Sequence, residues 1–249
     1  MKLSKVLVGS LLVASSLIAG SHSAHWGYTG HEGPSNWGDL DPKYTMCKVG
    51  SSQSPINISN DNVVATSGLE KIDFNYITAA SSIINNGHTV QVNMKSGSFI
   101  KIDGIEFELK QFHFHTPSEN NIGGKSFPLE AHFVHASKDG KLAVVALLFE
   151  DGKENPILEK LWSKMPNKAG EENKCGLTLE DIDKLLPFSR DYYRFNGSLT
   201  TPPCSEGVRW FVLKHYSRIS KAQVKSFLKA VHHENNRPIQ ALNARKVMK

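Results

Sequence analysis

Two histidines in a short alternating segment are the first residues whose spacing could do chemistry. The segment from Gln111 to His115 reads Gln-Phe-His-Phe-His, so polar and aromatic residues take turns. Successive side chains of a β-strand point to opposite faces, and His113 and His115 therefore share one face with Gln111. Two imidazoles on one strand face can converge on a metal ion. A chance pair of histidines in a packed strand would show the same pattern, so the prediction of a metal site needs support from other segments.

A third histidine lies in a second alternating segment. Residues Glu130 to Val134 read Glu-Ala-His-Phe-Val. Three neutral imidazole nitrogens and one open coordination position are the ligand set of a catalytic zinc site, whereas structural zinc sites use four protein ligands. The sequence therefore predicts a zinc ion held by His113, His115 and His132.

Polar residues of the right parity accompany these histidines. Metal-bound imidazoles usually donate their second N–H group to an outer acceptor. Gln111 and Glu130 each lie two positions before a predicted ligand, on the same strand face. The alternative for Glu130 is that it points to solvent, because a buried carboxylate without partners is costly. Val134 and Val144 are expected to form an apolar wall, which suits a small, weakly polar substrate.

A segment rich in hydroxyl groups precedes a pair of prolines. Residues Ser198 to Pro203 read Ser-Leu-Thr-Thr-Pro-Pro, and the prolines restrict the backbone. A rigidly held threonine could orient a metal-bound oxygen if it donates its own proton to a carboxylate, for which Glu119 is the candidate. A tight loop without a catalytic role is the alternative.

Strands dominate the elements that must position these residues. Alternating segments predict strands at 72–76, 88–94, 99–102 and 105–109, and Asp103-Gly104 predicts a hairpin between the last two. Eight apolar residues from Leu142 to Phe149 predict a central strand buried on both faces. Short helices are predicted after Asn155 and after Ser220 from their capping residues, and over 178–186, where Pro187 ends the helix. The prediction is one domain on a large, mostly antiparallel sheet.

Composition excludes several classes of function. The chain has 249 residues, 39% hydrophobic and 21% charged, with a net charge of +5. No basic run is interleaved with aromatic residues, so binding to nucleic acid is not expected. No segment after the leader is long and apolar enough to span a bilayer, so no membrane association is expected once the leader is removed.

The first 24 residues have the pattern of a secretory signal peptide. Two lysines near the start are followed by the apolar run 6–19 and then by small residues up to Ala24. Cleavage is expected within 20–24, which leaves 25–249 as the mature domain in the periplasm or outside the cell. A retained membrane anchor is the alternative. Histidines at 22, 25 and 31 could suggest a metal site, but an N-terminal arm pinned by aromatic residues is favoured.

The cysteines form an odd set. Export permits disulfides, and Cys47, Cys175 and Cys204 allow at most one internal bridge. Their spacing does not say which pair is bonded.

Several motifs, taken together, resemble the α-class carbonic anhydrases and specifically the exported bacterial members. They occur from about His25 to the C-terminus. The motifs are Gln53-Ser54-Pro55-Ile56-Asn57-Ile58, Asn85-Asn86-Gly87-His88, Phe112-His113-Phe114-His115, Glu130-Ala131-His132-Phe133-Val134-His135, Gly197-Ser198-Leu199-Thr200-Thr201-Pro202-Pro203, Asn236-Arg237-Pro238 and Leu242-Asn243-Ala244-Arg245.

The resemblance implies a mainly β, single-domain fold with a central, largely antiparallel ten-stranded twisted sheet, short peripheral helices and a conical cleft. It implies zinc-dependent, reversible hydration of carbon dioxide to bicarbonate and a proton, with zinc-bound hydroxide as the attacking group. Thr200 would orient that hydroxide, Glu119 would accept the threonine proton, and His88 would shuttle protons to solvent. A surface histidine without a role is the alternative for His88.

Further roles follow from the same resemblance. They are substrate contact by Thr201, a carbon dioxide pocket walled by Val134, Val144, Leu199 and Trp210, water ordering by Tyr28 and Asn86, and a disulfide between Cys47 and Cys204 that leaves Cys175 free. A cis X-Pro bond is expected in the Pro202–Pro203 region. Exported relatives are often dimers, so the resemblance leaves a homodimer open.

One residue departs from the family pattern. The family usually has histidine directly after the carboxylate that corresponds to Glu119, and this chain has Asn120. We expect this change to remove one hydrogen bond and some stability without removing the metal chemistry. Two other functions are alternatives. One is a binding module that has lost catalysis, which the complete set of predicted ligands argues against. The other is a zinc hydrolase acting on esters.

Overall fold

The computed structural model describes residues 24–249, which contain fifteen β-strands, five α-helices and two 3-10 turns. The strands are β1 (Asn57–Ile58), β2 (Val63–Val64), β3 (Asp73–Asn75), β4 (Ala80–Asn85), β5 (Val90–Met94), β6 (Phe99–Ile102), β7 (Ile105–His115), β8 (Asn121–Ile122), β9 (Leu129–Ala136), β10 (Leu142–Asp151), β11 (Glu172–Lys174), β12 (Tyr192–Ser198), β13 (Glu206–Leu213), β14 (Ser217–Ile219) and β15 (Val247–Met248). The helices are α1 (Trp37–Leu40), α2 (Met46–Val49), α3 (Pro156–Trp162), α4 (Leu179–Leu185) and α5 (Lys221–Val231), and the 3-10 turns are Gly30–Glu32 and Pro42–Tyr44.

Thirteen of the strands form one large sheet. Its main path has ten strands in the order β11-β4-β5-β7-β9-β10-β13-β12-β15-β2, and β3, β6 and β14 attach beside it. Nine strand pairs are antiparallel. Three are parallel, two of them at β10. The sheet is therefore mixed, although largely antiparallel as predicted, and the mainly β fold with short helices is confirmed.

The apolar composition of the central strand β10 follows from its position in the sheet. It pairs with β9 on one edge and with β13 on the other. Seven consecutive residues from Ala143 to Phe149 are buried because both faces of this strand are covered. The apolar run therefore marks the middle of the sheet, as predicted.

The two faces of β7, β9 and β10 supply two separate hydrophobic clusters. Phe112, Phe114 and Phe133 lie in the larger cluster, which the helices cover: Phe114 meets Trp162 of α3 edge-on with ring centroids 5.0 Å apart. Residues of the opposite parity, such as Val144, lie in the smaller cluster. The period of two thus sends the aromatic residues into one core and leaves the predicted ligands on the other face.

Local signals set the turns and the helix starts. Asp103 and Gly104 both have positive φ, as a two-residue hairpin turn between β6 and β7 requires. Asn155 accepts hydrogen bonds from two backbone N–H groups at the start of α3, and capping boxes at Thr178 and Ser220 begin α4 and α5. The caps predicted at Asn155 and Ser220 are confirmed, and α4 is one residue shorter at each end than predicted because Thr178 is its cap.

A disulfide joins Cys47 of α2 to Cys204, with an S–S distance of 2.08 Å, and Cys175 is free and buried. The pairing implied by the resemblance is therefore confirmed. The Pro202–Pro203 peptide bond is cis, as are the bonds that precede Pro55 and Pro117.

The N-terminal arm is fixed by aromatic packing. Trp37 is fully buried and donates its indole N–H to the carbonyl oxygens of Gly27 and Glu32, at 2.8 and 2.9 Å. His25 and His31 are exposed and join no metal-binding cluster within residues 24–249. His22 and the proposed signal peptide up to residue 23 lie outside the described residues. Among helices of the described chain, none has the length and apolar character that crossing a bilayer requires.

A buried pair of hydrogen-bonded side chains, His135 and Tyr76, lies on the side of the larger core. His135 on β9 is fully buried; its Nδ1–H donates to the carbonyl of Ala143 at 3.3 Å, so its Nε2 accepts the Tyr76 hydroxyl at 2.8 Å. Burial lowers the pKa of His135 to about 3 and raises the pKa of Tyr76. The folded protein therefore holds this imidazole neutral far below the pH at which an exposed histidine is protonated.

This difference makes stability depend on acid. Between the ordinary pKa of histidine and about 3, the unfolded chain binds a proton at His135 that the folded chain does not, so stability is full above that window and falls as the pH drops through it. We expect His135→Gln to flatten the slope of unfolding free energy against pH by about 1.4 kcal/mol per pH unit between about pH 4 and 6. Urea unfolding measures it, with His215→Gln on the surface as the substitution control, and equal slopes for wild type and His135→Gln would contradict the assignment.

Candidate metal centre

Three imidazoles meet on the face of the sheet opposite the larger core. His113 on β7 lies directly across from His132 on β9, and His115 lies two residues further along β7. The ring centroids are 5.0, 5.4 and 4.6 Å apart, and one ligand nitrogen from each ring lies within 4.8 Å of the others. The structure therefore brings together the three predicted ligands in a geometry that can hold one metal ion.

The second nitrogen of each ring has its own neighbour. Nδ1 of His113 donates to Oε1 of Gln111 at 2.8 Å, and Nδ1 of His115 donates to the carbonyl of Asn235 at 2.7 Å. Nε2 of His132 lies 3.0 Å from Oε1 of Glu130, although this contact is not well aligned for a hydrogen bond. These contacts leave Nε2 of His113, Nε2 of His115 and Nδ1 of His132 for a metal.

The donor set fits a divalent cation. Nε2 of His115 is buried and has no hydrogen-bond partner among the described residues, which a protein rarely tolerates without a ligand. Burial lowers the pKa of all three histidines, and repulsion from the neighbouring rings adds to the effect at His113 and His132. The rings are thus held in the neutral form that binds metals.

Glu130 is enclosed by hydrogen-bond donors. Its side chain is fully buried, and its Oε2 accepts the backbone N–H groups of Glu119 and Asn120 at 2.7 and 2.8 Å. Its Oε1 accepts Nδ2 of Asn120 at 2.7 Å. The alternative that Glu130 points to solvent is wrong. Burial raises its pKa, and the bonds from Asn120 oppose that rise.

The departure at Asn120 leaves no gap in the structure. The amide is fully buried, donates to Glu130 and accepts the backbone N–H of Ile56 at 3.2 Å. The expectation that asparagine costs a hydrogen bond here is wrong for this chain, because both ends of its amide are bonded. A short side chain suffices since the Glu130 carboxylate lies directly beside it.

Glu119 lies beside the rings of His115 and His132, and Thr200 lies close to Glu119. Oε1 of Glu119 accepts the backbone N–H of Arg237 at 2.9 Å, and its Oε2 lies 3.8 Å from Nδ1 of His132. Burial raises the pKa of Glu119 well above its ordinary value; among the opposing influences are the bond from Arg237 and the nearby Thr200 hydroxyl. Oε2 itself makes no complete hydrogen bond within the described chain, so Thr200 is close to Glu119 but not fully aligned with it.

An apolar row runs across the sheet next to the histidines. Cross-strand pairing places Val134 of β9 beside Val144 of β10, and Val144 beside Trp210 of β13. The Trp210 ring lies 4.9 Å from the His132 ring, and Leu199 packs against the same hydrophobic cluster. The four residues implied as walls therefore lie together on one side of the metal centre.

A cleft of about 140 Å³ opens onto the rings. Gln111, His113, His115 and Thr201 line it together with Tyr28, Asn86 and His88. A larger groove of about 990 Å³ around Phe188 contains none of the predicted site residues. The site is thus identified by its chemistry and not by the size of its cavity.

His88 is held at the mouth of the cleft. Its ring stacks on Trp26 with centroids 3.8 Å apart and planes 7° apart. The Asn86 side chain accepts the backbone N–H of His88 at 3.0 Å and so fixes the turn before β5. Burial lowers the pKa of His88, and positive charge on His25 and His233 would lower it further. Burial also raises the pKa of Tyr28, with Glu119 adding to the rise.

The sequence of this chain is similar to those of known proteins. Residues 32–249 match the family model of the eukaryotic-type carbonic anhydrases. The chain belongs to this family. It is 46% identical to a carbonic anhydrase of Neisseria gonorrhoeae over 99% of this chain and 96% of that protein, and 45% identical to one of Pectobacterium atrosepticum over 97% of each.

A solved structure agrees with the sequence comparisons. The α-carbonic anhydrase of Thermovibrio ammonificans, crystallised with the inhibitor sulfanilamide, is 50% identical and has a TM-score of 0.88, with 92% of this chain and all of that chain covered. The resemblance inferred from the motifs is confirmed, and the protein is an enzyme of the carbonic anhydrase class.

Two residues of this carbonic anhydrase site were not predicted from the sequence pattern. Asn235 is fully buried: besides its carbonyl bond to His115, its Nδ2 donates to the carbonyls of His88 and Phe114 at 3.0 and 2.9 Å. Arg237 supplies the backbone N–H to Glu119. Both follow α5 in an irregular segment without periodicity, and only the Asn236-Arg237-Pro238 motif hinted at this region.

Asn120 offers a test of the surroundings of the metal centre. Asn120→Ala leaves Glu130 Oε1 without its amide donor, so we expect bound divalent metal to be released to a chelating dye about tenfold faster. Asn85→Ala is a matched control, because Asn85 is also buried and donates to the carbonyl of Ala230 at 2.9 Å away from the metal centre. Both variants should lose about 1–3 kcal/mol of stability, and equal metal-release rates in the two would refute the positioning role.

Proposed function

We propose that this enzyme catalyses the reversible hydration of carbon dioxide to bicarbonate and a proton, with a zinc ion held by His113, His115 and His132. One observation carries the proposal: imidazole nitrogens of the half-buried His113 and the buried His115 and His132 lie within 4.8 Å of one another, beside both an open cleft and an apolar wall. Three nitrogen ligands with one position left open are typical of catalytic zinc. When bound, zinc supplies a Lewis acid that lowers the pKa of water, an effect for which carbonic anhydrases are the usual example.

The wall beside the metal centre suits carbon dioxide. The molecule is small and has no net charge, so it gains from apolar contact and needs no cationic clamp. We assign its pocket to Val134, Val144, Leu199 and Trp210, and its polar contact to Thr201 on the cleft side. Trp210 is fixed by its indole N–H, which donates to the carbonyl of Ser198 at 3.0 Å.

We assign to Thr200 and Glu119 the task of orienting the reacting oxygen. A hydroxyl that donates its single proton to a carboxylate oxygen can only accept a hydrogen bond from the reacting oxygen, which selects the orientation of that oxygen's lone pairs. The cis bond at Pro202–Pro203 and the disulfide at Cys204 lie directly after this segment. The role of Thr200 is thus to reject badly oriented oxygen nucleophiles.

Proton export is the task that we assign to His88. Histidine exchanges protons near neutral pH, and the cleft connects this ring with the base of the site. Tyr28 and Asn86 line the same cleft and would order the water molecules between them. The stack on Trp26 supports one resting position of the ring on the solvent side.

Processing and location follow the sequence pattern. We propose that residues 1–24 are removed and that 25–249 act in the periplasm or outside the cell. The Cys47–Cys204 disulfide supports an oxidising compartment. The substrate is a small molecule, and a homodimer stays a prediction.

Loss of one ligand should remove the metal. We expect His132→Ala to lose most of its zinc and more than about a hundredfold of its carbon dioxide hydration rate, because the remaining two rings cannot hold the ion. Metal analysis and stopped-flow hydration, with and without a sulfonamide, measure both properties. Exposed His215 provides the control variant His215→Ala; full zinc content and activity in His132→Ala would overturn the ligand set.

Proton transfer is tested separately. We expect His88→Ala to slow turnover by about ten- to a hundredfold in weak buffer, with the zinc content unchanged, because water alone accepts the proton poorly. Added imidazole should restore part of the rate. Turnover that stays at the wild-type level in weak buffer would remove His88 from the reaction.

A further inference from the structure

The segment that carries Thr200 is fastened at both ends. At its start, Ser54 and Ser198 exchange two hydrogen bonds, from each backbone N–H to the other's hydroxyl oxygen, at 2.9 and 3.1 Å. At its end, Cys204 is bonded to Cys47, and its backbone N–H donates to the carbonyl of Thr201 at 2.8 Å. The position of Cys204 therefore fixes the C-terminal end of the Thr200 segment, which runs from Ser198 to Cys204.

Two buried side chains connect the same two cysteine residues a second time. The Arg237 guanidinium donates from Nη2 to the carbonyl of Cys47 at 3.0 Å and from Nη1 to Oε1 of Gln53 at 2.8 Å. Nε2 of Gln53 then donates to the carbonyl of Cys204 at 3.0 Å. Arg237 and Gln53 are only 2% and 3% exposed, so water competes little with these bonds.

This connection ends at the proposed proton acceptor of Thr200. The backbone N–H of Arg237 donates to Oε1 of Glu119, so Arg237 links the carboxylate directly with Cys47 and, through Gln53, with Cys204. The side-chain acceptors of Arg237 are neutral oxygens of Cys47, Gln53 and Ser54. Burial of a guanidinium against neutral partners is costly, which argues that its position serves a purpose other than ion pairing.

We propose that Gln53 and Arg237 form a second, noncovalent crosslink between the Cys47 and Cys204 segments, and that this crosslink keeps the Thr200 segment in its working position when the disulfide is reduced. Gln53 and Arg237 are thus positioning residues, and the disulfide and the crosslink can replace each other. The proposal rests on the proposed function for the role of Thr200 but not for the connection itself.

The two crosslinks can be removed singly and together. Gln53→Met keeps the size of the side chain and loses both polar ends, and dithiothreitol opens the disulfide. Gln223→Met is the matched control: Gln223 is 2% exposed and donates to the carbonyl of Asn155 at 2.8 Å, away from the metal centre. Wild type, Gln53→Met and Gln223→Met are compared in oxidised and reduced form, at a temperature where near-ultraviolet circular dichroism shows them folded.

Two readouts are measured. The first is kcat/KM for carbon dioxide hydration. The second is hydrogen exchange of the Leu199 and Cys204 amides, which donate within the segment to the carbonyls of Ser205 and Thr201. Each single change should alter either readout by less than about threefold, whereas reduced Gln53→Met should lose at least about tenfold in kcat/KM and exchange both amides at least about tenfold faster.

Other patterns would overturn the proposal. If reduced wild type already shows the tenfold changes, the disulfide acts alone; if reduced Gln53→Met behaves like reduced Gln223→Met, Gln53 contributes nothing specific. Should reduced Gln53→Met unfold, the exchange of reduced wild type decides, because the crosslink predicts that its protection persists. Exchange does not require catalysis, so an inactive wild type would refute the proposed function and leave this test intact.

Discussion

The pairing of His113 with His132 across two antiparallel strands is the constraint on which the rest of the site depends. Side chains alternate with a period of two, so this one register places His115 and Glu130 opposite each other in the next row and Gln111 beside Val134 in the row before. A slip of β9 by one residue would turn Glu130, His132 and Val134 away from the β7 histidines and toward the phenylalanine core. The three predicted ligands, Gln111, Glu130 and Val134 are therefore all placed by the same backbone alignment.

Such a site is costly for the protein to fold around. Glu119 and Glu130 are both buried, Glu119 beside His115 and His132 and Glu130 beside His132, and burial alone disfavours their charged forms. The chain offsets this cost with directed donors: backbone N–H groups at 119, 120 and 237, and the Asn120 amide. The irregular segment after α5 completes the arrangement, since Asn235 holds His115 and Arg237 holds Glu119. The metal centre thus rests on rigid strands below and on a hydrogen-bonded loop above.

Local patterns explain how much could be predicted from the sequence. The three histidines, Gln111 and the buried strand β10 follow from alternation within a few residues, and helix starts follow from capping residues. The parallel pairing of β10 with β13 could not be read in this way, because register between distant strands leaves no local trace. Asn235 and Arg237 contact partners 120 and 118 residues away, and their neighbours show no periodicity. The hydrogen bonds of Asn120 could not be predicted from its sequence neighbours either, since its partners come from β9 and from the segment before β1.

The proposed site needs three imidazoles to bind one zinc ion and to leave a coordination position open. X-ray absorption at the zinc edge of the purified, zinc-loaded enzyme tests it most directly. The account predicts a four-coordinate ion with scattering from three imidazole rings and one light atom that a sulfonamide replaces. Sulfur from a cysteine, a fourth imidazole, or a spectrum that a sulfonamide leaves unchanged would contradict it.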